Sequence, residues 1–166
     1  VTSSREFRWT VGALLLCLAV VHRVSLLAHP VATTAIQLTV HERQLEVSVD
    51  SEVDPLLTKL AVLAGETPPR FPVAASDRHA VLTRLLPTLA NTLDVRIDDT
   101  SVALAPTGIE DVLNTSVPRV VVTFVGAMPA GGRHVTFRSS LVFGSYPLTL
   151  HRDEVTGDVV EWLAGP

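Results

Sequence analysis

The sequence predicts an α+β fold: a β-rich, sandwich-like domain with a two-helix insertion after the first strand pair. Three observations carry this. Apolar residues alternate with period two at both ends of the chain. Between them the period changes to the helical one over two stretches. Proline- and glycine-rich breaks separate the segments.

In the first pair, Ile36, Leu38 and Val40 alternate with Gln37 and Thr39, then Leu45, Val47 and Val49 with Glu46 and Ser48. The short polar link 41–44 makes the pair a hairpin. Asp54 is then suited to cap a helix and Pro55 to occupy its first position. Val53, Leu56, Leu57, Leu60, Ala61 and Ala64 form one helical stripe, closed by Gly65. After the proline-rich break 66–72, Ser76 is suited to cap a second helix, with Leu82, Leu85, Leu86, Leu89 and Ala90 as its stripe. Pro87 removes a backbone donor inside that stripe, so a kink or an end is expected near Leu86.

Strands resume at Leu93, Val95 and Ile97, and the segment 98–101 turns the chain. The almost unbroken apolar run 119–126 predicts a central strand covered on both sides. Residues 134–144 and 146–152 predict two strands joined through Gly144 and Ser145, and 159–163 predict a last one.

The start of the chain predicts export. Arg5 and Arg8 precede an eleven-residue apolar run, 11–21, which is short beside the about 20 residues that a bilayer span needs. Residues 1–28 read as a signal peptide cleaved after Ala28, or as a signal anchor, and 29–166 as a single β-rich extracytoplasmic domain. Such a domain has no cysteine, because Cys17 is the only one and lies in the leader. That excludes thiolate metal sites, iron–sulfur clusters and a cysteine nucleophile there. Loss of Arg5, Arg8, Arg23 and Glu6 takes the net charge from −4 to −6. With no basic patch, nucleic acid is not an expected partner.

Few residues point to chemistry. An N-terminal His29 would offer an amino and an imidazole nitrogen, a pair suited to copper or nickel. His134 and His151 rank first as further metal ligands, ahead of His41 and His79. His151 lies near Asp153 and Glu154, which admits an imidazole–carboxylate site or a charged turn. Asp94, Asp98 and Asp99 could suit calcium, although solvated strand and turn carboxylates account for them. No G-x-S-x-G, H-E-x-x-H or glycine-rich phosphate loop is present. Ser145 with His151 as base is the one hydrolase arrangement to weigh, and no catalytic residue is assigned.

Two stretches carry a resemblance. The segment 28–40 after the leader, and 119–165 with Gly144-Ser145-Tyr146 and Trp162-Leu163-Gly165, resemble the extracytoplasmic N-terminal domain of HupE/UreJ-like membrane proteins. The resemblance implies a non-enzymatic exported accessory domain at the outer face of a bacterial membrane, in the periplasm or facing outside, with a membrane-protein partner linked to metal transport. In that family a bundle of membrane helices usually follows, and Pro166 falls where it would begin. The rival readings are a periplasmic copper- or nickel-binding protein using His29, and an unrecognised hydrolase.

The metal reading is decided by the terminus itself. A protein processed to begin at His29 should bind Cu(II) far more tightly than one with an extra Met before His29, because the added residue turns the amino nitrogen into an amide. Calorimetric titration at neutral pH distinguishes the two; equal binding removes His29 as a ligand.

Overall fold

The computed structural model describes residues 34–41, 43–141, 146–152 and 157–163. The described residues hold nine strands and two helices in two sheets, the mixed, sheet-rich architecture that the alternating and helical periods predict. The expected leader at 1–28 lies outside the described residues.

Strands β1 (Ala35–Val40) and β2 (Gln44–Glu52) form the expected antiparallel hairpin, with Ile36 opposite Val49 and Leu38 opposite Val47. The His41 amide donates to the Gln44 carbonyl at 2.9 Å and closes the link. β2 runs directly into helix α1 (Val53–Leu63). The helix starts one residue before Asp54, so Asp54 lies in the first turn rather than at the cap. There its carboxylate faces the positive end of the helix dipole. The cap residue is Glu52, whose side chain makes no capping bond, and the Val53 amide donates instead to the Pro118 carbonyl at 3.0 Å. At the other end the Gly65 amide reaches the Val62 carbonyl and the Glu66 amide reaches the Ala61 carbonyl. These two bonds make a Schellman stop, and Gly65 takes the left-handed φ of 72° that it requires.

Helix α2 (Ala75–Asn91) corrects two expectations. It begins after Ala74 rather than at Ser76, because the Ala74 carbonyl accepts from the Asp77 and Arg78 amides. It also continues past Pro87 for another turn. Pro87 and Thr83, whose carbonyl loses its donor, are both exposed, so water can satisfy that carbonyl. Leu89, fully buried beyond the proline, holds the last turn on the core.

The large sheet has the order β5-β6-β2-β1-β8-β9, from β5 (Ala105–Val112), β6 (Arg119–Ala127), β8 (Tyr146–Arg152) and β9 (Val159–Leu163). Only β1 and β8 run parallel; the other neighbours are antiparallel. The small sheet has the order β4-β3-β7, from β3 (Leu93–Ile97), β4 (Thr100–Ser101) and β7 (Val135–Ser139). Asp98 and Asp99, at φ 45° and 66°, form the two-residue turn between β3 and β4. Two positive values fit the right-handed twist of a tight hairpin. Asp98 is thus a turn residue, not the strand residue that alternation with Asp94 suggests.

The strand at 119–127 is interior, but it is covered fully on one face only. Val120, Val122 and Phe124 are buried, whereas Val121, Thr123 and Val125 are half-buried on the other. Valine on an open sheet face is stabilised by cross-strand packing rather than full burial. The stretch 134–144 is also shorter than expected as a strand. β7 ends at Ser139, opposite the first residue of β3, and the Ser140 amide turns to the Thr92 carbonyl at 2.9 Å. β7 and β8 belong to different sheets, and 142–145 fall outside the described residues. β5 had no signal in the sequence, since Pro106 and Gly108 interrupt it at a bulge.

The inner face of the large sheet, both helices and the small sheet share one continuous hydrophobic core. Gly126 lets the segment 102–104 cross close over β6, since a Cβ there would collide with the Val102 side chain. Leu60 in α1 has no exposed surface, whereas Lys59 beside it is half-buried. Leu60→Ala should therefore cost about 2–5 kcal/mol in chemical unfolding. Lys59→Ala should cost clearly less; equal small losses would mean that α1 does not seal the core.

Candidate functional site: an apolar groove between two open strand edges

The two sheets are unequal in width. Strands repeat about every 4.8 Å, so three cannot cover six. The helices fill in over β2 and β5, and on this side of the sheet Val47, Val49, Val122 and Phe124 have no exposed surface. The opposite end, toward β8 and β9, is left partly open.

A groove of about 360 Å³ lies there. The register builds its floor: β1 and β8 pair in parallel with Leu38 beside Leu150, so the inward side of β1 continues onto β8. Leu148 and Leu150 are only half-buried, in contrast to Leu38 at 1% exposure. Val135 and Phe137 of β7 form the facing wall. β9 pairs Val159 with Leu150 and Glu161 with Leu148, which places both in the groove. Among the described residues Glu161 is the only ionisable one of its lining. Among the described residues β7 and β9 are each the outermost strand of their sheet, so both groove walls end in backbone edges.

The histidines do not gather at this groove. His151 alternates with Leu150 along β8 and so belongs to the opposite, open face of the large sheet. Its Nδ1 lies 2.6 Å from Oδ1 of Asp158. The sequence offered Asp153 and Glu154 as its partners; those two, with Ser145 and His29, lie outside the described residues. A carboxylate on Nδ1 is how an imidazole base is oriented in hydrolases. Here the same pair ties β8 to the residue entering β9.

His134 lies just before β7 and is 85% exposed at its side chain. The His134 and Arg133 amides each donate to the Asp98 carboxylate at 3.0 Å, while the His134 ring stands 3.4 Å from it. Asp98 thus staples the β3–β4 turn to the loop entering β7. Its pKa is lowered, first by the His134 backbone hydrogen bond and next by that of Arg133, with the imidazole charge a lesser cause. His134 lies in the loop entering β7 of the small sheet and His151 on β8 of the large one, each beside its own carboxylate. Among the described residues no group of three or more His, Asp and Glu side chains is placed to hold a metal. Asp94 is occupied by Arg96 at 3.3 Å, apart from the amides that Asp98 serves.

His79 has a partner that sequence spacing could not reveal. Its Nε2 lies 3.8 Å from Asp111 of β5, beside a cleft of about 320 Å³ reached by Leu86 and Thr107. At that distance the pair makes a weak surface contact.

The chain matches no protein-family model, and no curated protein matches it. The site is therefore read from its own geometry.

The staple has a pH signature. A lowered folded pKa means that Asp98 stabilises the fold above its ordinary value near about 3.9, and that this is lost as pH falls through the folded value. Asp98→Asn keeps the left-handed turn but removes the charge. Its urea midpoint should lie below that of the parent protein near neutral pH and converge with it in acid. His134→Ala should leave most of the acid dependence intact, since the amide, not the ring, is the main donor.

Proposed function

We propose that this chain is an exported, non-enzymatic interaction domain of a HupE/UreJ-type, metal-transport-related membrane system, and that it holds its membrane-protein partner through the groove between β7 and β8–β9. The observation that carries this reading is the groove. It joins an apolar floor to two open strand edges, the features by which extended protein segments are bound. Val159 lines it, and Val160 points to the other side of the same terminal strand, each 55% exposed. An exposed apolar edge strand is a liability unless something pairs with it.

Other features agree with this assignment. Of the residues that carry the resemblance, Tyr146 opens β8 and Leu163 closes β9, and Leu163 lines the groove. The basic and apolar leader would deliver the domain across the membrane. No described helix is long and apolar enough to cross a membrane, and the partner would supply the membrane-spanning part.

Expression with the leader, in a bacterium that carries a HupE/UreJ-type protein, tests the proposal. The exported form should have the intact mass of a chain beginning at His29. A photo-reactive residue at Val160 should give an adduct in the membrane fraction that contains the HupE/UreJ-type protein, and one at Leu113 on the far strand connection should not. Retention in the cytosol, or no membrane adduct from Val160, overturns the reading.

A further inference from the structure

Four features of β9 bear on what the groove takes. It is the last strand of the large sheet and pairs only with β8 among the described residues. It carries neither proline nor lysine, two common guards of an open edge. Val160 is exposed on one side, and Val159 and Glu161 face the groove on the other. Glu161 is a carboxylate set into an apolar lining.

That carboxylate discriminates between occupants. A wholly apolar strand laid along β9 would remove Glu161 from water without a counter-charge, which is costly. A second copy of this chain fares no better. If two β9 strands pair antiparallel about Glu161, carboxylate meets carboxylate. If they pair about Val160, each Glu161 meets Val159. Neither register supplies a cation, and both chains carry the net charge of −4. A segment with a lysine or arginine opposite Glu161 satisfies the carboxylate while its other inward residues fill the groove.

We infer that the groove takes an extended segment of a partner protein, added as a strand along β9, with apolar residues at alternate positions and one basic residue opposite Glu161. This rests on the interaction-domain reading and specifies the partner's chemistry. β9 spans five residues, so the paired part of the partner is about 17 Å long at about 3.4 Å per residue. Backbone hydrogen bonds to the strand edge give binding, and the alternating side chains give selection. Glu161 then serves as a gate: it disfavours indiscriminate pairing of the edge and admits a strand of matching charge.

Three synthetic peptides of alternating valine and threonine test this by fluorescence anisotropy on the exported protein. Their central valine is kept, or replaced by lysine, or replaced by glutamate. The lysine peptide should bind at least about tenfold more tightly than the other two at low salt. Glu161→Lys, a change at an exposed position, should reverse the order of the lysine and glutamate peptides. Hydrogen exchange should slow at 159–163 when the lysine peptide binds. Equal binding of all three, no binding of any, a preference that survives Glu161→Lys, or protection confined to other elements each overturns the inference. The membrane adduct from Val160 is independent of these peptides, so loss of the charge preference with the adduct intact leaves the interaction domain standing and removes only the basic-strand partner.

Discussion

The β2–β6 ladder is the constraint on which the rest of the structure depends. It pairs nine consecutive residues, from Gln44 opposite Ala127 to Glu52 opposite Arg119. It joins the first hairpin to the second half of the chain across both helices and most of the small sheet. Closing so long a loop costs entropy that grows only slowly with length, so one long ladder can offset it. Its two ends are fastened differently. Arg119, with an 18% exposed side chain, holds Asp50 through Nε at 3.0 Å and Nη2 at 2.9 Å. The Met128 amide, just past the other end, donates to the Arg43 carbonyl. Once the ladder forms, Val47, Val49, Val122 and Phe124 share one face, and the helices have an apolar surface to cover.

The unequal layers follow from this. α1 leaves β2 without a linker, and its first amide is taken by Pro118, just before β6. That fixes the helical cover over the β2–β6 side. The small sheet is built from what remains, and its third strand, β7, ends where β3 begins. β8 then returns to the large sheet beside β1, on the far side from the helices. Among the described residues no third layer covers β8 and β9. The groove is thus a consequence of chain order: the cover is used early, and the last two strands arrive after it.

Much of the fold was legible because its signals are local. The period-two alternation of 36–40 and 45–49 and the helical stripe at 53–64 depend only on neighbours in sequence, and the faces they define are the buried ones, except that Ala64 is the exposed C-cap of α1. Helix ends were less legible. Asp54, Ser76 and Pro87 all carry strong terminal preferences, yet the Pro118 carbonyl, the Ala74 carbonyl and buried Leu89 decided where the helices begin and end. Composition misled at 119–127, because valine serves an open sheet face as readily as a closed one. It was silent at β5, where Pro106, Gly108 and a bulge erase the alternation of an edge strand.

The candidate site was far less legible, and for a different reason. It is made by relations between strands distant in sequence. Nothing local says that Leu38 and Leu150 are neighbours, or that Asp111 stands beside His79. Parallel pairing of β1 with β8 requires a register that no turn sets. The histidines drew attention because their chemistry is conspicuous, but His134 serves mainly through its backbone amide and His151 faces away from the groove. Glu161 is the instructive case. In sequence it is one charged residue within a strand ending in Trp-Leu, where alternation alone would assign it to solvent. The pairing with Leu148 places it among apolar side chains instead. An acidic residue on the inward side of an edge strand can remain stable because that side is open to water, and it keeps a strand of the wrong charge from closing it.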